Sequence, residues 1–153
     1  MTLAENKHLK TLLFLGAAAA FLWGVAVLDL RARAKSAWLT AERYREWHLR
    51  PDAKRLYLED IYAKKALALK RTGGITQKEL NAKLAGLETE KEFLINESSA
   101  KYAYLWYKTA SFSFCRPKNK WCARAREMLG PAKDLWKAEL RAKNIKFEDW
   151  MLD

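Results

Sequence analysis

The sequence predicts an all-α protein: one N-terminal transmembrane helix that continues into a stalk, then a small bundle of helical hairpins. Three observations carry that expectation. Residues Thr11 to Leu30, TLLFLGAAAAFLWGVAVLDL, hold no charge before Asp29. The eighteen uncharged residues, at about 1.5 Å of rise each, cover roughly 27 Å, close to the thickness of a hydrocarbon core. The rest of the chain is dominated by Ala, Leu, Lys, Arg and Glu, with only 6 Gly and 3 Pro in 153 residues, a composition of helix formers. Apolar and polar residues show no clear alternating run, so strands are not expected.

The length allows one domain plus an anchor. Half of the residues are hydrophobic, with 7 Trp, 6 Tyr and 6 Phe, which argues for a packed core and against disorder. The chain divides into a short tail (1–10), the transmembrane helix (11–30), a helical stalk (31–50), a helical extramembrane domain (51–143) and a C-terminal docking tail (144–153).

The apolar run is expected to stay in the protein as an anchor. It exceeds the about 7–15 residues of a signal-peptide core. Its one small-x-small site, Ala32-Arg33-Ala34, sits inside the basic cluster of Arg31, Arg33 and Lys35. Within the run, Gly16, Ala20 and Gly24 recur every four residues, a spacing that lets a second membrane helix approach closely. Trp23 lies well inside the span and points to a protein neighbour there. Alanine as plain apolar filler is the competing reading.

Two orientation signals conflict. Lys7 and Lys10 precede the span, while Arg31, Arg33, Lys35, Arg43, Arg45 and Arg50 lie beyond it. That bias favours a cytoplasmic body. A short tail before an uncleaved apolar run is instead the layout of a signal-anchor that exports the downstream chain. The cysteines agree with export, and the expectation is a body on the non-cytoplasmic, periplasmic side.

Past Arg31, the residues Ala34, Ala37, Trp38, Ala41, Tyr44 and His48 keep a 3–4 spacing, so the anchor helix should run on to about Leu49. His48 reads as a packed or surface histidine. Arg50-Pro51-Asp52 breaks the helix, and Pro51 suits a first helical position. The second helix, 52–70, carries Leu58, Ile61, Tyr62, Ala66 and Leu69 on one face. Gly73-Gly74 ends it. Thr76-Gln77-Lys78-Glu79 is a capping box. The third helix shows Leu80, Leu84, Leu87 and Leu94, which reads as an antiparallel hairpin with the second.

The stretch AKYAYLWYKTASFSF comes next. Ala103, Trp106, Ala110 and Phe114 form its expected core stripe, flanked by Tyr102, Tyr104, Tyr107 and Phe112. That is more aromatic surface than one small core needs. Tyr102, Tyr104, Trp106, Tyr107 and Phe112, together with Trp150, are therefore the candidate partner interface. Cys115 and Cys122 would lie about 10 Å apart on one helix, too far for a bridge. The turn at Pro117-Lys118-Asn119 can bring them together, and a disulfide is the expectation, with free buried thiols the main alternative. Zinc would need two further ligands. A short helix over 121–129 is expected to close at Gly130, with Pro131 opening the last helix and Asn144 ending it. The tail IKFEDWMLD carries four large apolar groups and should dock, on its own body or on a basic neighbour.

The net charge of +11 lies almost wholly after the anchor. It suits anionic lipid headgroups at the Arg31, Arg33 and Lys35 cluster, or an acidic protein. Nucleic acid is not the expected partner, because acids interrupt patterns such as Arg43-Tyr44-Arg45-Glu46-Trp47. No P-loop, Rossmann glycines, HExxH, haem motif or nucleophile elbow occurs in the chain. No cofactor or metal is expected, and no enzyme activity; a pigment or quinone against Trp and Leu of the span needs no motif and stays open, so cofactor-binding residues are unknown. The expected function is that of a non-catalytic single-pass accessory or structural subunit of a larger membrane protein complex. Other membrane subunits would be its partners. The alternative is a membrane-anchored basic binding module for an anionic partner.

Overall fold

A computed structural model describes residues 7–71 and 73–152. These form α1 (Lys7–Leu49), α2 (Pro51–Arg71), α3 (Gln77–Asn96), α4 (Ser99–Phe112), α5 (Lys120–Ala142) and a 3-10 turn at Asp149–Leu152, with no strand among them. The all-α architecture is the expected one: a long apolar N-terminal helix, then helical hairpins. Residues 1–6, most of the expected tail, lie outside the described residues, as does the side chain of His8.

The first helix, α1, runs 43 residues without a break. No proline interrupts it, and its two glycines, Gly16 and Gly24, sit in the apolar half. An 18-residue window of this helix has a mean hydropathy of 2.2 and is entirely unburied by the rest of the chain. It is one helix long and apolar enough to cross a membrane.

The punctuation works as local chemistry dictates. Pro51 opens α2 at a position where its missing N–H costs nothing. Asp52 in the first turn and Lys70 and Arg71 in the last turn complement the helix dipole. Gly74 takes a φ of 85°, a left-handed turn open to glycine. Thr76 and Glu79 then cap α3 reciprocally, at 2.9 Å and 3.3 Å. The Lys65–Glu90 pair at 3.9 Å marks α2 and α3 as antiparallel. No residue of α3 is fully buried, so this hairpin is a thin appendage.

The main core lies elsewhere. Antiparallel to α1 runs α4: Tyr102 stacks on Tyr44 with centroids 5.2 Å apart, and Cys115, just past α4, clusters with Ala34. Ala37 and Ala41 of α1 meet Ala103 and Ala110 of α4 and Ala125 and Ala132 of α5. Alanine at each crossing lets the helix axes approach, and the aromatic rings fill the spaces between. The segment read as a stalk is thus the central helix of the body, so the span and the body share one rigid rod.

The last helix departs from expectation. There is no stop at Gly130 and no restart at Pro131. One helix, α5, runs through both. A proline in a helix interior removes one hydrogen bond and crowds the preceding turn, at a cost of about 3 kcal/mol. Here Cys122, Ala125, Met128, Leu129, Ala132 and Trp136 keep one apolar face in register across the proline. Gly130 and Pro131 are exposed on the opposite side. Tertiary packing overrides the local break.

The tail folds back on its own body. Leu152 is buried, and Asp149 pairs with Lys137 of α5 at 2.9 Å.

Candidate functional site

Gly16 and Ala20 are exposed and Gly24 half-buried. A Cβ added at Gly16 or Gly24 would meet nothing within 4 Å. The chain's own fold therefore makes no use of their small size. Trp23 lies two helical turns beyond Gly16, so it shares that face, and it is 69% exposed. The face presents a shallow groove with one large ring standing on it.

The aromatic residues separate into two groups. Tyr104 and Tyr107 are core residues, and Trp106 packs half-buried against them. Tyr102 is half-buried on Tyr44 and donates a hydrogen bond to Glu97. Tyr104 and Tyr107 are thus core residues and not partner interface, while Tyr102 and Trp106 keep part of their surface outside. Phe112, at 62% exposed, and Trp150, at 72%, do stand free. The buried stripe of α4 is Ala100, Ala103, Tyr104, Tyr107, Ala110 and Ser111, one residue round from the expected Ala103–Trp106–Ala110 line. The reason is a polar partner. The Tyr107 hydroxyl donates to Glu42 Oε1 at 2.6 Å, while Arg45 holds Glu42 Oε2 at 2.8 Å. The half-buried Glu42 satisfies a hydroxyl that burial would otherwise leave unpaired at a cost. Burial, and then that hydrogen bond, push the Tyr107 hydroxyl well above its ordinary pKa.

The disulfide expected between Cys115 and Cys122 is not formed; both are free, buried thiols. The turn does bring them into one cluster with Ala34, Phe114 and Trp121. The Cys122 thiol donates to the Phe114 carbonyl at 3.7 Å instead. Burial first, and the neighbouring Cys115 thiol second, push Cys122 up to about 11. A thiol so enclosed packs as a small core residue.

A polar junction has no counterpart in the sequence pattern. Lys54, in the first turns of α2, is only 6% exposed, and its Nζ donates to the Glu97 carbonyl at 2.6 Å. Burial lowers its pKa, against the pull of Glu97 and Glu139. Glu139 of α5 accepts from Ser98 at 2.7 Å and from Lys143 at 2.6 Å, with His48 3.9 Å away. Burial pushes the Glu139 carboxyl up, but the hydrogen bonds from Lys143 and Ser98 outweigh it and the group sits below its ordinary range. The adjoining cleft holds about 430 Å³. Each of these groups is spent on another, so the junction ties the α1–α2 corner, the α3–α4 corner and the end of α5 together. Nothing in sequence spacing joins residues 54, 97 and 139. Among the described residues, no group of three or more His, Cys, Asp or Glu could hold a metal ion.

Fold and site together define a helical body carried on one helix long and apolar enough to cross a membrane. Comparison with protein-family models, with curated proteins and with solved structures finds no match.

Proposed function

We propose that this chain is a single-pass, membrane-anchored, non-catalytic accessory subunit of a larger membrane protein complex. One observation carries the reading. The apolar half of α1 is unpartnered within the chain, and its other half is the central core helix of the body. Such a helix needs lipid or other membrane helices around it, and its continuity holds the body at a set angle to them. The Gly16, Ala20 and Gly24 face, free of any internal contact at its two glycines, supports close approach of a second helix. Phe112 and Trp150 are the most exposed of the candidate aromatics, and Trp150 is the one placed for a partner outside the membrane.

We place the body on the cytoplasmic side. With Cys115 and Cys122 free, the cysteines no longer favour export, and we weigh the basic flank of Arg31, Arg33 and Lys35 above the signal-anchor layout that still favours it.

Purification in mild detergent with the span intact tests the first reading. Membrane partners should accompany the wild type and be lost from Gly16→Leu/Gly24→Leu, which fills the face without disturbing the chain's own packing. A monodisperse monomer with no companion overturns the reading. For the side, a Lys78→Cys variant places a thiol on the exposed start of α3. It should resist a membrane-impermeant thiol reagent in intact cells and react after lysis. Reaction without lysis moves the body outside.

A further inference from the structure

The α4–α5 turn lies at the membrane end of the body. Cys115 and Cys122 pack on Ala34, and Trp121 packs on Trp38 with centroids 5.1 Å apart. Ala34 stands four residues beyond Leu30, about 6 Å along the helix. With Thr11–Leu30 in the hydrocarbon core, Ala34 falls in the headgroup layer, roughly 5–7 Å deep on each side, Lys35 stands at its outer edge, and Trp38, about 12 Å past Leu30, stands just beyond it.

The fold gathers charge of one sign there. The chain from Ser98 to Arg126 contains no Asp or Glu. Lys35 of α1 and Lys120 and Arg124 of α5 converge on the Trp121 indole, with charged groups 5.8, 4.9 and 5.3 Å from its centroid. None of the three makes an ion pair among the described residues. The nearest acid along α1, Asp29, is taken by Arg33 at 2.7 Å. Three like charges around one ring repel, and the ring's negative face offsets only part of that. Arg116 and Lys118 in the turn add exposed charge, and Phe112 adds an exposed ring at the same end.

We propose that this end of the bundle is seated on an anionic lipid surface, with Lys35, Lys120 and Arg124 receiving a phosphate headgroup beside Trp121. The inference rests on the reading that Thr11–Leu30 spans the bilayer. It adds to that reading a second chain segment, about 90 residues downstream in sequence, that rests on the same surface. Anionic lipid attracts basic residues close to its plane and loses that attraction with distance and salt, which matches a cluster held at headgroup level and not at the far end.

The full-length protein in phosphatidylcholine bilayers, with spin-labelled phosphatidylglycerol or spin-labelled phosphatidylcholine as the probe, tests this. The wild type should prefer the anionic probe by about tenfold or more, at roughly fivefold per charge engaged, and salt should weaken the preference. Lys35→Gln/Lys120→Gln/Arg124→Gln should bring the two probes close to equal. Arg116→Gln/Lys118→Gln should reduce the preference partway. Lys70→Gln/Lys78→Gln/Lys83→Gln, the same loss of charge on the α2–α3 hairpin, no residue of which packs in the Trp121 cluster, should keep it. Equal loss in both triple variants assigns the effect to bulk charge and overturns the proposal. Loss of preference on adding inorganic phosphate at matched ionic strength also overturns it, in favour of a free-phosphate site. A protein that floats with neutral vesicles but shows no anionic preference refutes this inference alone. One that does not float with any vesicle refutes the membrane reading beneath it.

Discussion

Tyr107 shows how one residue's chemistry decides a core. It is fully buried, and its hydroxyl meets Glu42 at 2.6 Å. Tyr107→Phe keeps the ring and removes the donor, so Glu42 loses a charge-assisted hydrogen bond. The expected loss is about 1.5–3 kcal/mol in urea unfolding, and Tyr107→Ala should lose about 3–5 kcal/mol by opening a cavity as well. Titration adds a second test. Glu139 is depressed in the folded state from the ordinary value of 4.5. A depressed carboxyl stabilises above its unfolded pKa, and that contribution is lost as pH falls through the folded value. Stability should therefore drop on acidification below about pH 4.5, and Glu139→Gln should flatten that limb. At the other extreme, the hydrogen bond to Glu97, then burial, raise Tyr102 from 10.0 to about 12. A raised phenol stabilises fully below pH 10 and loses that contribution as pH rises toward 12. Unfolding measured across that window should show the loss, and Tyr102→Phe should reduce it.

Elements differ in how much tertiary support they have. The sequence pattern made α3 visible through its capping box and leucine spacing, and both are present. Yet α3 has no fully buried residue and leans mainly on α2. It is held by local chemistry, so its opening should be local. Amides of α2 and α3 beyond Leu58 should exchange faster than those of α4 and of α1 past Ala34. Thr76→Ala, at about 1 kcal/mol for a lost cap, should speed exchange in α3 while leaving α4 protected. The fifth helix is the opposite case. Its proline reads as a stop, and a single helix forms because Ala125, Ala132 and Trp136 bury one face across the proline. Pro131→Ala removes the steric conflict and should raise the melting temperature.

For the molecule as a whole, the continuity of α1 is the central fact. The apolar helix proposed to meet lipid is also the helix against which α4 and α5 pack. Ala32→Pro breaks the rod in the turn before residue 32, at the end of the span, while sparing every buried residue of the core. The body should keep its helix content and unfolding midpoint by circular dichroism, and the anchor should still insert. Partner retention and the anionic-lipid preference should fall together, because both need the body held at a set angle to the span.

Local order was legible along the chain. The apolar run, the helix-forming composition, Pro51, Gly74 and the Thr76 box specify helices and their ends through interactions of a few residues' reach. The helical periodicity of 34–48 likewise announced one buried face. Contacts across long separations belong to the folded molecule alone. Folding set Tyr107 on Glu42, Lys54 under Glu97, and the Trp121 cations beside Lys35. It also buried two of the six candidate interface aromatics, Tyr104 and Tyr107, and left the two cysteines as free thiols. Those outcomes depend on where two distant segments lie in space. A periodic pattern specifies that a face is buried, but not which acceptor, ring or charge waits opposite it.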